Sequence, residues 1–276
     1  MKTKSNKCSN RNVSNLKGVA IGSMLSLLAS TGMAGEALVS DGYSPGDSKS
    51  KWVVGGAIGA IENPFIGEDS IDAFIVPNVE YRGERLYFKA GELGVNLFRS
   101  QGFGAGFIVT GNESFLSDED FYDDNKQLEG IKERDGTLDA GFYLVHNSEL
   151  GQLRMRFLEE VTGEHDGRSV DANYTFDLAY EDIRINPVVG VAWTSADMVD
   201  HFFGVSESEA NEYRAEYKGE NATSFYTGVR GRYEFTEHWE VDMGAYYVKL
   251  GSGISDSTLL EEDDLIVTSV GVNYNF

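Results

Sequence analysis

The last twelve residues of the chain, 265–276, alternate between two kinds of side chain. Even positions from Ile266 to Phe276 carry apolar or aromatic side chains with one threonine, while odd positions from Ser269 to Asn275 carry small or amide side chains. Successive side chains of a strand point to opposite faces, so this segment has one apolar and one polar face. The pattern predicts the final strand of an outer-membrane barrel, with lipid outside and a polar interior.

The first 34 residues have the composition of an export signal. An apolar run at 19–29 is followed by small residues ending at Ala34, and the run is too short to span a bilayer as a helix. Basic residues precede the run at Lys2, Lys4, Lys7, Arg11 and Lys17. We therefore predict a cleaved signal peptide at 1–34 and a single barrel domain at 35–276. Cys8 lies inside the signal, so the mature chain would have no cysteine for redox chemistry.

The chain is strongly acidic. Removal of the signal leaves 18 Lys and Arg residues against 45 Asp and Glu residues, a formal charge of −27 over 242 residues. This balance disfavours nucleic acid as a partner. Acidic residues concentrate at 118–124 and 261–264, between strand-like segments. We interpret both clusters as solvated outer loops; binding of divalent ions beside lipopolysaccharide phosphates is the alternative.

Segments of about ten alternating residues fill the rest of the chain, which is the length of a tilted strand crossing a bilayer. They predict an all-β fold, a transmembrane antiparallel up-and-down β-barrel of about twelve strands, with ten as the fallback. The predicted strands are 52–61, 71–82, 85–91, 93–99, 102–111, 136–146, 151–161, 168–179, 184–194, 222–235, 238–250 and 265–276. Short periplasmic turns alternate with long outer loops. Pro77 and Pro187 are misfits that predict local distortions, because proline lacks a ladder donor.

The strand faces that point away from lipid carry charges of both signs. The predicted lumen charges are Arg154, Arg156, Arg230, Arg232, Asp171, Asp177, Glu234 and Asp242. These groups either pair to fill a narrow lumen or line a conducting channel, and barrel size does not decide between the two. Tyr274 and Phe276 are the predicted signal for the barrel-assembly machinery. Outer-membrane lipid and lipopolysaccharide are the expected surroundings.

We looked for catalytic chemistry among the four histidines. His165 with Asp166 and His201 with Asp200 are placed to share the outer rim, where an Asp and His pair can activate water. Ordinary polar loop residues are the favoured interpretation, and no spacing typical of a metal site occurs. We therefore predict a protein that is not an enzyme, with no cofactor and no metal.

Several segments resemble the MltA-interacting protein (MipA/OmpV) family of outer-membrane proteins. The matching segments, in family order, are Leu93 to Leu97, Leu128 to Gly130, Thr162 to Gly167, Met198 to Ser206 with Glu209-Ala210, and Thr236 to Trp239. The first loop, 62–67, departs from the family pattern. The resemblance covers nearly all of the mature chain.

The resemblance implies a barrel scaffold in the Gram-negative outer membrane that brings a lytic transglycosylase near a murein synthase. Periplasmic partners would reach the short turns. The candidate docking residues are Asn147, Ser148, Glu149, Glu181, Asp182, Glu237 and His238. Two alternatives are a passive pore for small polar solutes and a surface adhesin or receptor acting through the loops 112–135 and 195–221.

Overall fold

A computed structural model describes residues 51–68, 71–100, 102–112, 116, 125–180 and 183–276. Three predictions fall outside these residues. They are the signal peptide 1–34, the turn Glu181-Asp182 and the acidic cluster 118–124.

The chain forms one closed antiparallel β-barrel. Its segments are β1 (Trp52–Glu62), β2 (Ile71–Arg82), β3 (Leu86–Lys89), β4 (Glu92–Arg99), β5 (Phe103–Asn112), β6 (Thr137–Ser148), β7 (Gly151–Glu160), β8 (Arg168–Phe176), β9 (Leu178–Tyr180), β10 (Ile183–Thr194), β11 (Ala222–Glu234), β12 (Trp239–Lys249) and β13 (Asp264–Asn275). The segments pair in chain order, and β1 pairs with β13 to close the wall. Because β8 and β9 both pair with β10, they form one interrupted strand, and the prediction of twelve strands is confirmed.

The alternation in the last strand corresponds to an outer and an inner face. Ile266, Val270 and Val272 are exposed on the outside, where a membrane barrel meets lipid. Leu265 and Val267, the two residues that break the polar face, point inward and are completely buried. They lie at the outer end of the lumen, in an apolar cluster formed with the outer loops. The interruption of the sequence pattern therefore has a packing role.

The hairpin β3–β4 is short, and its length explains why a proline is tolerated at position 77 of β2. The Arg82 N–H donates to the Lys51 carbonyl at 2.7 Å, so the even-numbered residues of β2 bond to β1. Odd-numbered residues, including Pro77, direct their backbone groups to the opposite edge, because bonding sides alternate along a strand. Within the described residues, β3 pairs with β2 only at Tyr81 and Arg82. Pro77 lies beyond this pairing, so its missing donor removes no ladder bond.

Pro187 lies opposite the interruption between β8 and β9. The Ser195 N–H donates to Arg168 at 2.9 Å, so the odd-numbered residues of β10, Pro187 among them, face β8. The Phe176 carbonyl would accept a bond from position 187, but proline has no N–H to give. The Asn186 side-chain amide donates to this carbonyl instead, at 2.9 Å. The predicted distortion is thus an interruption of β8 with a substitute donor.

The tight turn of the β3–β4 hairpin consists of Ala90 and Gly91, whereas the predicted strands 85–91 and 93–99 place the turn at Glu92. Both residues have positive φ, 50° for Ala90 and 77° for Gly91. Two consecutive positive φ values are typical of a type I′ hairpin turn. Glu92 is consequently the first residue of β4, and its side chain is buried.

Ala90→Gly is expected to stabilise the barrel, because an alanine in the left-handed region is strained and glycine is not. The expected gain in free energy of unfolding is about 0.5–1 kcal/mol, measured by urea titration of the refolded barrel. Ala105→Gly, at a strand position of ordinary φ, is the control and should lower stability. No gain for Ala90→Gly would show that the turn is unstrained.

In the described parts of the outer connections, the chain forms two helices. They are α1 (Ala196–Phe203), between β10 and β11, and α2 (Ser252–Ser255), between β12 and β13. Among the described residues, no helix has the length and apolar character needed to cross a membrane. The loop predicted at 195–221 therefore contains one regular element.

Candidate functional site

An apolar cap closes the outer end of the barrel. Its core combines residues from four outer connections: Phe65, Leu128, Phe203 and Leu260 are all buried in one cluster. The rings of Phe65 and Phe203 stack with centroids 6.4 Å apart. The cluster continues downward into the inward-facing apolar residues of the upper strands. The cap and the upper lumen are therefore a single hydrophobic core.

Helix α1 supplies the centre of this cap. Met198, Val199, Phe202 and Phe203 occur at helical spacing and are almost completely buried. This spacing places all four side chains on one face, which packs onto the loop core below. The cap therefore depends on a helix that we did not predict from sequence. Its signal was this apolar spacing after Ser195.

Polar side chains tie the loop 125–136 to the segment after α1. Glu209 is buried and accepts bonds from the Ser206 hydroxyl at 2.6 Å and the Lys132 N–H at 3.0 Å, with an ion pair to Arg134 at 3.0 Å. Burial opposes ionisation of Glu209, but these donors outweigh it and lower its pKa to about 2. The buried Arg214 donates to the Gln127 carbonyl at 2.5 Å. The two loops thus form one unit.

Below the cap, one side of the lumen contains a buried ion-pair network. Arg156 lies between two carboxylates, 3.5 Å from Glu92 and 3.3 Å from Asp171. Arg154 pairs with Glu92 at 2.5 Å, and the Tyr226 hydroxyl donates to Asp171 at 2.8 Å. An unpaired charge in a buried site is costly, so these pairs lower the free-energy cost of burying the charges in the lumen.

A second polar chain runs along the inner wall on both sides of the seam between β13 and β1. Asn78 donates to Asn273 at 2.9 Å, Asn273 donates to Asp242 at 2.5 Å, and Arg232 donates to Asp242 at 3.0 Å. A cavity of about 20 Å³ lies beside these groups, next to Arg230. A volume of this size holds about one water molecule. Side chains of β1, β2, β11, β12 and β13 line this cavity.

Most of the predicted lumen charges belong to these two networks. Arg154, Arg156 and Asp171 join the first, Arg232 and Asp242 join the second, and Arg230 is buried beside the cavity. Asp177 and Glu234 are instead exposed at the periplasmic ends of their strands, outside both networks.

Sequence reasoning missed several polar lumen residues. Glu92 was assigned to the turn, and the inward amides Asn78 and Asn273 were not treated as part of the site. The alternation of each strand could have indicated them, because all three residues occupy inward-facing positions and are buried. An amide on the inner face indicates a polar network in the lumen as a charged side chain does, because buried amides also need hydrogen-bond partners.

At the periplasmic end, the β6–β7 turn presents only Glu149 and Leu150. Asn147 and Ser148 belong to β6, and their side chains brace the turn. The Asn147 side-chain oxygen accepts a bond from Gln152 at 2.8 Å, and the Ser148 hydroxyl donates to the Gly151 carbonyl at 3.0 Å. Leu150 is 70% exposed. Of the predicted docking residues in this turn, Ser148 and Glu149 are exposed, and only the Ser148 side chain is engaged within the turn.

The β11–β12 turn packs against the end of the last strand. His238 Nδ1 lies 2.9 Å from the Asn275 carbonyl, and the His238 ring stacks on Tyr274 with centroids 5.4 Å apart. The Thr236 hydroxyl accepts the Trp239 N–H at 2.9 Å. Glu237 is exposed at the tip. The predicted docking residue His238 therefore braces the rim, and Glu237 faces the periplasm.

The histidines show no catalytic arrangement among the described residues. His165 and His201 do meet at the outer rim, with ring centroids 4.8 Å apart, but Asp200 accepts the Gly219 N–H at 2.7 Å rather than orienting His201. His146 lies at the opposite end, stacked on Phe103. Within the described residues, no group of three His, Cys, Asp or Glu side chains is placed to hold a metal ion.

Known proteins resemble this chain over most of its length. The sequence model of the family described as MltA-interacting protein MipA matches residues 54–276. The MltA-interacting protein of Escherichia coli (strain K12) is 23% identical over 230 residues, which cover 83% of this chain and 92% of that protein. Outer membrane protein OmpV of Vibrio cholerae serotype O1 is 24% identical over 268 residues, covering 95% of this chain and all (100%) of that protein.

Among solved structures, a FadL homologue of Pseudomonas aeruginosa aligns with a TM-score of 0.41 and 9% identity, over 91% of this chain and 98% of that one. The closed barrel and the relatives named as outer-membrane proteins confirm the predicted location in the outer membrane.

Proposed function

Because the chain belongs to the MltA-interacting protein MipA family, we propose that it is an outer-membrane scaffold that docks a murein-remodelling enzyme on its periplasmic rim. The partner class is a lytic transglycosylase, with a murein synthase as a further member of the assembly. The proposal assigns no catalytic step to the barrel itself.

The observation that carries this proposal is the capped lumen with its paired, buried charges. The cap core closes the outer mouth, and the ion-pair network around Arg156 occupies the space beneath it. Small polar solutes need a continuous wet path, which rings of unpaired polar groups provide in pores. A capped lumen whose charges are paired favours a role on the surface of the barrel over transport through it.

The surface that we assign to docking is the periplasmic rim near Glu149, Leu150 and Glu237. Glu149 and Glu237 are exposed acids at turn tips, and Leu150 is an exposed apolar side chain beside one of them. Tyr180, 72% exposed, lies at the neighbouring turn. Exposed apolar and aromatic side chains among charges are typical anchor residues of protein interfaces. The role of Glu181 and Asp182 remains part of the proposal on topological grounds.

Photo-crosslinking in living cells tests the proposal. Probes at Glu149, Leu150 and Glu237 are expected to give adducts with a lytic transglycosylase or murein synthase, identified by mass spectrometry. Probes at Glu207 and Glu262, exposed acids of the outer cap, are the controls and should give neither. Recovery of only assembly chaperones from the rim probes would contradict docking at this surface.

A charge reversal then measures the contribution of one residue. Glu149→Lys is expected to lower the adduct yield from Leu150 about tenfold, equivalent to about 1.4 kcal/mol of binding free energy. Glu84→Lys reverses another exposed periplasmic acid and should leave the yield unchanged. Equal yields in the two variants would remove Glu149 from the interface.

A further inference from the structure

The short outer connection between β7 and β8, residues 161–167, is organised around the carboxylate of Glu160. This carboxylate accepts the backbone N–H groups of Gly163 at 2.7 Å and Asp166 at 3.1 Å, and also those of Thr162, Glu164 and His165. So many donors to one carboxylate hold the loop in a single conformation. The loop therefore presents His165 at a fixed position.

His165 lies between this loop and helix α1 of the cap. Its Nδ1 atom accepts the Gly167 N–H at 2.9 Å, so the ring proton of the neutral side chain is on Nε2. Its ring packs against His201 and Phe202 of α1, with centroids 4.8 and 5.5 Å apart. Gly167 is so close to Met198 of α1 that a Cβ there would lie 2.6 Å from the Met198 Cβ.

The environment of His165 suits a neutral ring. Its Nε2 atom is buried and has no hydrogen-bond partner within the described part of the chain. His201, whose Nε2 atom lies 3.1 Å from the Asp135 carbonyl, is the facing basic group. The facing acids are Glu160, which is saturated by the loop, Asp166 of the loop, and Asp197 of α1.

We propose that His165 and His201 form an acid-sensitive latch that holds α1, and with it the cap, over the barrel mouth. Protonation of His165 places a hydrogen on Nδ1, where the Gly167 N–H already points, so two donors face each other. The positive charge of His165 also faces the basic ring of His201, whose centroid is 4.8 Å away, and this neighbour disfavours the charged form. Both changes weaken the contact between the loop and α1. This inference does not depend on the docking proposal.

The direction of the pH effect follows from the protonation equilibrium. Burial, reinforced by the neighbouring His201, lowers the pKa of His165 from its ordinary 6.5 to about 4. A group whose pKa is lowered in the closed state favours that state when it is deprotonated. The latch is therefore complete above pH 6.5 and weakens as the pH falls from 6.5 towards 4.

Hydrogen exchange of the full-length barrel in lipid nanodiscs tests the latch, with rates corrected for the intrinsic pH dependence of exchange. Between pH 7.5 and pH 4.5, protection of residues 196–203 is expected to fall roughly tenfold or more in the wild type. His165→Gln keeps an acceptor for Gly167 but does not titrate, so its cap should retain protection at pH 4.5. His146→Gln, far from the cap, should behave as the wild type.

If the cap of His165→Gln is already open at pH 7.5, His201→Phe decides the question. This variant keeps an aromatic ring against His165 and removes the facing basic group, so the proposal requires a smaller loss of protection at pH 4.5. A wild-type cap that keeps its protection at pH 4.5 would overturn the latch. A loss that is equal in wild type, His165→Gln and His201→Phe would also overturn it.

Discussion

Arg156→Met is expected to lower the free energy of unfolding by about 3–5 kcal/mol, because it leaves two buried carboxylates without their shared cation. Arg156 is buried and lies within ion-pair distance of both Glu92 and Asp171, which come from different strands. Methionine fills similar volume, so the loss reports the missing charge rather than a cavity. Urea unfolding of the barrel refolded in lipid vesicles measures the change.

Arg168→Met is the matched control. Arg168 pairs with Glu159 at 2.8 Å, but the two side chains are 56% and 45% exposed, so water screens the pair. Exposed pairs of this kind contribute less than about 1 kcal/mol. If Arg156→Met lowered the free energy of unfolding no more than Arg168→Met, water in the lumen would have to solvate Glu92 and Asp171. That result would favour the alternative function as a pore.

Phe202→Ala is expected to open the cap while the barrel stays folded. Phe202 is completely buried in the cap core, and deleting a buried phenylalanine side chain typically costs about 3–5 kcal/mol. The cap is held by loops rather than by the strand ladder, so it can open as a local unit. Limited proteolysis of residues 195–221 on vesicle-embedded protein should become faster at least tenfold.

Tyr213→Ala tests whether this effect is specific to the core. Tyr213 lies in the same outer connection but is 52% exposed, so its loss should change proteolysis little. Retention of the barrel is checked by the urea midpoint, which should shift less for Phe202→Ala than for Arg156→Met. An unchanged cleavage rate in Phe202→Ala would mean that the polar ties around Glu209 and Arg214 suffice to hold the cap.

Strand positions were predictable because period-two alternation is a local signal. The strand containing 265–276 and the hairpin around residue 91 were both found to within a residue or two. Pro187 predicted a distortion, but its position at Asp177 was not predictable, because it depends on which residue of β8 lies opposite Pro187. The sequence of one strand does not show which residue of a distant strand will lie opposite it.

The presence of charged residues inside the barrel was predictable, but their pairing and the cap above them were not. Inward charges such as Arg156 and Asp171 follow from strand parity, yet their pairing depends on barrel register, which one chain does not reveal. The cap was missed because its core combines residues from four outer connections that are far apart in the sequence. The meeting of His165 and His201 was anticipated only as a shared location at the outer rim.

Closure of the wall depends on a contact between strands at opposite ends of the sequence. Val53 of β1 pairs with Asn275 of β13, so β1 has no partner on that side until β13 is in place. Contacts of such long sequence separation form slowly. The cap core also needs Leu260, which lies only a few residues before β13. Closure of the seam and completion of the cap core should therefore both occur near the end of assembly. Until then, the edges of β1 and β13 are unpaired and need protection.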